Sequence, residues 1–162
     1  MLVSRQGFRT SGGLPAGVTL IELLVAIAVL ATLLAVAVPG YLMYAERARR
    51  TEAIGQIGVI DIAINEFALA NIGQLPVDLF AVGHGGAVDP WGNPVTYGNF
   101  TLGAMPRVDQ NGDAVNMRYD LYSVGRDGAT AASLTDGASQ DDIVRASDGG
   151  FVGLVSDYSR LD

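Results

Sequence analysis

Hydrophobic residues crowd one end of the 162-residue chain. From Val18 to Val38 it reads VTLIELLVAIAVLATLLAVAV, 21 residues in which Glu22 is the sole ionisable side chain. At about 1.5 Å per residue such a helix covers about 30 Å, the hydrocarbon thickness of a bilayer. The pattern therefore predicts a membrane-capable helix. Past Pro39-Gly40 the apolar positions fall to helical spacing: Ala53, Ile57, Ile60, Ile64, Phe67 and Ala68 stand mostly three or four apart, with Glu46, Arg50, Glu52, Gln56 and Asp61 mostly elsewhere. A stripe of this kind needs a sheet to cover it. Pro39 has no N–H to offer the carbonyl of Ala35, and Gly40 weakens the next turn, so a kink or a locally melted segment is expected there. The helical pattern ends near Gly73, before Leu75-Pro76, which gives one long, bent helix from about Val18 to Ile72.

From Pro76 onward Gly, Asp, Asn and short β-type runs replace the helical pattern. Val95-Thr96-Tyr97, Arg118 to Val124 and Phe151 to Val155 are the strand candidates, with turns at Gly92-Asn93-Pro94 and Asn111-Gly112. A small antiparallel sheet packed on the helix makes one α+β domain with a single core.

Composition narrows the function classes. Arginine is the only strong cation, with 10 against 17 acidic residues and a net charge of -7. No long basic run is present, so nucleic acid is not an expected partner. Cysteine is absent, which removes disulfides, Cys-based zinc sites and thiol catalysis together.

The stretch Met1 to Gly17 carries Arg5, Arg9, no acid and the breakers Gly12, Gly13, Pro15 and Gly17, the composition of a leader. Two cleavage points compete. Ala35-Val36-Ala37 offers a small-x-small triplet, but a signal ending there would exceed the usual range of about 15 to 30 residues and would contain Glu22. Gly17 followed by Val-Thr-Leu-Ile-Glu-Leu-Leu resembles the prepilin signature of type IV pilins and type II secretion pseudopilins. That resemblance implies a prepilin peptidase that cuts after Gly17 and methylates the new N-terminus at Val18. It divides the chain into a leader (1–17), a transmembrane and filament-core helix (18–39) and a periplasmic or extracellular head (40–162) that includes the amphipathic half of the helix. Counted from Val18, Glu22 is the fifth mature residue and Pro39 the twenty-second, both as in the family. The chain departs from it in having Val18 where Phe is usual, and in a long leader. Arg47, Arg49 and Arg50 beyond the span outnumber the leader arginines, so charge alone leaves the orientation open.

Glu22 has a chemistry of its own. A carboxylate in an apolar helix costs a few kcal/mol unless it is paired. Cleavage would create an ammonium on Val18 one turn away, in the same chain or on a parallel neighbour; the alternative is headgroup water.

Two further segments resemble the major pseudopilin. Asp89-Pro90-Trp91-Gly92-Asn93-Pro94 with Tyr97 is similar to its DPWGNPY element, where Trp91 is read as an aromatic plug with a structural role. Tyr119-Asp120-Leu121-Tyr122-Ser123-Val124-Gly125-Arg126-Asp127-Gly128, followed by Asp141-Asp142-Ile143, resembles the elements that frame its calcium loop. Clustered carboxylates in a Gly-rich loop suit calcium, and Asp127, Asp136, Asp141 and Asp142 would repel one another without compensation. The resemblance implies a structural calcium held by the side chains of Asp127, Asp141 and Asp142 and the carbonyl of Val124. Asp109, Asn111, Asp113 and Asp120 fit an EF-hand count, but the required Gly is Ala114, and a hairpin tip at Asn111-Gly112 is the better reading. His84 stands alone in a Gly-rich loop, and no nucleophile–base pair, phosphate loop or HExxH pair is present. The chain is not expected to be an enzyme.

The resemblance implies a structural subunit of a type IV filament: a homo-polymer built through the apolar helix, with Glu22 setting register against the neighbour's N-terminus. It implies as partners the prepilin peptidase/methyltransferase, an assembly ATPase, an inner-membrane platform, and minor pilins or pseudopilins. The expected location is the bacterial inner membrane, single-pass, with a periplasmic head before assembly. The major pseudopilin of type II secretion is the first reading and a surface pilin the second. A membrane-tethered calcium-binding domain is the rival outside that class.

Overall fold

In the computed structural model, which describes residues 17–158, the apolar run and the amphipathic run that follows it form one helix, α1 (Leu20–Ala70, 51 residues). Helical structure continues through Pro39 and Gly40, so the locally melted alternative is corrected. Proline's fixed φ is itself helical, and one missing hydrogen bond does not outweigh the turns on either side. The boundaries otherwise match the pattern to within two residues. Beyond the last turn the Gly73 N–H returns to the carbonyl of Ala68 at 2.7 Å, closing the helix end.

The chain divides into two compact units, Met1–Leu42 and Met43–Asp162. In the first, every large apolar side chain from Val18 to Leu42 is exposed, and α1 is long and apolar enough to cross a membrane. In the second, Ala53, Ile57, Ile60 and Ile64 of α1 are fully buried and Ala68 nearly so, against a four-stranded antiparallel sheet.

The sheet is a meander in the order β1 (Thr96–Asn99), β2 (Tyr119–Ser123), β3 (Ile143–Ala146), β4 (Phe151–Leu154). Tyr97 pairs with Leu121, Ser123 with Ile143, and Val144 with Gly153. Three strands fall where the sequence placed them. The fourth, β3, lies in the segment assigned to the acidic loop, where Asp141, Asp142 and Arg145 break the apolar pattern.

Alternation along β2 and β3 sends Leu121 and Ile143 toward α1, and Tyr122 and Val144 the other way. The second face packs with Val115, Leu134, Ala146 and Val155, the last from the short helix α2 (Val155–Tyr158). The expected single core is therefore two apolar layers, because Val115, Leu134 and Val155, from outside the strands, pack on the outer face of the sheet. Asn111-Gly112 is the hairpin tip expected: Gly112 has φ 84°, the Asp109 N–H bonds the Asp113 carbonyl at 2.9 Å, and Val108 bridges Ala114.

Candidate functional site

The first candidate lies at the start of α1. The Thr19 carbonyl accepts from the Leu23 N–H at 3.2 Å, which makes Thr19 the N-cap. Its backbone N–H and hydroxyl both donate to Oε2 of Glu22, at 2.9 and 3.0 Å, and its Oγ1 accepts the Glu22 N–H at 3.2 Å. This reciprocal exchange is a capping box. It holds the carboxylate over the first turn through Oε2, with no hydrogen bond to Oε1 among the described residues. The partners expected from the sequence were the Val18 ammonium, in the same chain or on a neighbour, and headgroup water; the signal for the capping box is the Thr19-x-x-Glu22 spacing. The leader up to residue 16 lies outside the described residues.

The second candidate is the acidic loop after β2. Asp141 Oδ2 accepts the N–H groups of Arg126 and Asp127 at 2.9 and 3.1 Å, which folds residues 125–127 over it. Asp127 turns away to accept the Ala129 N–H at 2.8 Å. Gly125 has φ 66°, and a Cβ there would stand 2.3 Å from the Asp141 carbonyl oxygen, so the turn admits only glycine. Asp142, fully buried, points inward: its Oδ2 accepts from Arg107 Nη2 and Thr130 Oγ1, each at 2.6 Å. The side chains of Asp127, Asp141 and Asp142 thus face three different partners. Among the described residues no group of three acidic or histidine side chains gathers around a point that could hold a metal. As arranged, the set Val124, Asp127, Asp141, Asp142 does not fit a calcium ion, because its most buried member is already neutralised by an arginine of the same chain.

That pair belongs to a buried polar network that the sequence reading missed. Arg107 also donates its backbone N–H to Asp120 Oδ2 at 2.7 Å, and Asp120 Oδ1 accepts from Asn116 Nδ2 at 2.9 Å. Arg145 Nη1 donates to Asn116 Oδ1 at 3.0 Å, and its Nε to Asp61 Oδ1 on α1. The Tyr119 hydroxyl donates to the same Asp61 oxygen at 2.5 Å. Each guanidinium lies over an aromatic ring, Arg107 over Tyr122 at 4.5 Å and Arg145 over Tyr119 at 4.1 Å. Burial pushes the carboxyls of Asp120 and Asp142 above the usual carboxylate range, opposed by the Asn116 amide at the first and by Thr130 and Arg107 at the second. Asp61, read as a residue away from the stripe, is the point where the network reaches the helix. The available signal was an arginine inside an otherwise apolar strand, Ile143-Val144-Arg145-Ala146.

The DPWGNP segment meets the same loop. Asp89, nearly fully buried, accepts the N–H groups of Trp91 and Asn93 on Oδ1 at 3.0 and 2.8 Å and the Ser123 hydroxyl on Oδ2 at 2.6 Å. Asn93 Nδ2 donates to the Gly125 carbonyl at 2.8 Å, and Trp91 Nε1 donates to Glu46 Oε2 at 3.3 Å. Trp91 packs at the edge of the helix-facing layer, the structural place expected of it.

Asp109 Oδ1 accepts the N–H groups of Asn111 and Asp113 at 2.8 and 2.9 Å within the hairpin tip, while Asp120 is buried in the network, so the EF-hand count brings no ligands together.

Compared with known families, residues 15–38 match the model of the prokaryotic N-terminal methylation motif. The match spans the Gly17-Val18 junction, Glu22 and the apolar part of α1, and it supports a type IV pilin-like protein. No curated protein and no solved structure matches the chain.

Proposed function

We propose that the chain is a structural subunit of a type IV filament, cut after Gly17 and polymerised through the apolar half of α1. One observation carries the reading. A single carboxylate sits on the first turn of a helix whose large apolar side chains are all uncovered from Leu20 to Leu42, within the stretch that matches the methylation motif. Such a helix needs apolar neighbours all round, either lipid or other copies of itself. With Thr19 occupying Oε2, Oε1 is available to the methylated ammonium of an adjacent subunit, and that pairing sets the stagger between copies. The chain then acts with a prepilin peptidase/methyltransferase, an assembly ATPase, a membrane platform and minor subunits.

Within this class the reading is the major pseudopilin of a type II secretion system. One detail favours it: the Asp89–Ser123 and Asn93–Gly125 contacts join the two pseudopilin-like segments into one unit.

Replacing Glu22 with Ala tests the filament. The variant is expected to insert in the membrane at the wild-type level and to lose the ladder of cross-linked multimers. A ladder unchanged by Glu22→Ala would leave α1 as a plain anchor. The intact mass of the membrane-extracted chain, with fragmentation of its N-terminus, is expected to start at methylated Val18.

A further inference from the structure

Arg107 occupies the electrostatic role that a divalent ion would fill in the acidic loop. Its Nη2 donates to the Asp142 carboxylate at 2.6 Å, to Thr130 Oγ1 at 3.0 Å and to the Ala131 carbonyl at 3.2 Å. One cationic group thereby ties together both flanks of the loop between Gly128 and Asp142. The side chains of the pair are only 7% and 0% exposed. Behind the guanidinium lies the Tyr122 ring, and its own backbone N–H is fixed by Asp120, so the side chain is anchored at both ends.

The other carboxylates of the loop each have hydrogen-bond donors from the chain on one oxygen. Asp141 takes two backbone N–H groups and Asp127 one, and the Ser139 hydroxyl donates to the Ala131 and Ser133 carbonyls while accepting the Ala131 N–H. Three buried polar atoms of the pair, Arg107 Nε and Nη1 and Asp142 Oδ1, have no hydrogen-bond partner, so the pair is held through Nη2 and Oδ2. A calcium ion on Asp142 would stand against the guanidinium already held on Oδ2, and displacing that guanidinium would leave it buried without a counter-ion, an expensive exchange.

We infer that the C-terminal loop of this head is closed by the Arg107–Asp142 pair in place of a metal ion, so that folding of the head is independent of calcium. The inference concerns the head alone and stands whether or not the chain polymerises.

The test uses the full chain in detergent, with calcium chloride or a chelator as the only variable. Thermal unfolding is followed by near-ultraviolet circular dichroism, and loop closure by cleavage between Gly128 and Gln140 with a protease of broad specificity. The wild type is expected to give the same midpoint and the same cleavage rate in both conditions. Arg107→Met strands the buried carboxylate and is expected to lower the midpoint by roughly 10 °C or more. Adding Asp142→Leu to it removes both charges and is expected to recover most of that loss.

A higher midpoint or slower cleavage of the wild type in calcium would overturn the inference. So would an Arg107→Met midpoint equal to wild type, or a double variant no more stable than Arg107→Met alone. If Arg107→Met does not fold at all, the wild-type comparison decides by itself.

Discussion

Tyr97 and Tyr119 lie with ring centroids 5.7 Å apart on the helix-facing side of the sheet, and each hydroxyl has a fixed acceptor. Tyr97 donates to the Pro76 carbonyl at 3.0 Å and Tyr119 to Asp61. Burial raises both phenols, Tyr97 to about 12 and Tyr119 further, where the bond to Asp61 adds to the effect. The folded head therefore keeps protons that the unfolded chain releases near pH 10. Stability from these groups is complete below pH 10 and falls as pH rises toward 12, because above pH 10 the unfolded state binds fewer protons than the native one. An absorbance titration at the phenolate band is expected to show two of the six tyrosines ionising late, or only with unfolding. Tyr97→Phe should remove one of the two and soften the alkaline loss of stability. Ionisation of Tyr97 and Tyr119 near pH 10 in the folded chain would contradict this.

Helix α1 was legible because burial follows a period written in the sequence: of the stripe, Ala53, Ile57, Ile60, Ile64 and Ala68 are buried and Phe67 is half-buried. Ile60, at the centre of that stripe and fully buried, is the residue whose truncation should be felt most. Ile60→Ala is expected to destabilise the head by about 2 to 5 kcal/mol, read as a lowered unfolding midpoint. A shift near zero would mean that the sheet does not cover the stripe. Asp61 was not legible, since a carboxylate beside an apolar stripe carries no mark of its partner. That partner, Arg145, is 84 positions away in a strand that its own charge disguised. For the same reason the local pattern Asp-Asp-Ile carries no mark of the guanidinium that reaches Asp142 from Arg107, 35 positions back. Spacing reveals what lies on one element. It is silent about which charges meet when elements cross.

At the scale of the whole chain, the acidic composition takes on a local meaning. A head with a large excess of carboxylates and no lysine pairs Asp142 and Asp61 with two arginines held on aromatic rings, a task suited to a planar, weakly hydrated cation. The meander order has a consequence in time. Synthesis delivers the helical stripe first and the strands that cover it last, with β4 and Val155 at the far end. At about 5 to 20 residues per second, Ile64 waits roughly 5 to 20 s for Leu154 to leave the ribosome. During that interval the nascent head presents a bare apolar ridge, so a holding chaperone has a defined target and a defined window. Ribosome-arrested chains ending near residue 140 are expected to stay protease-sensitive along 53–68, and released full-length chains to be protected. Protection of the arrested chain would mean that the ridge finds cover before the sheet exists.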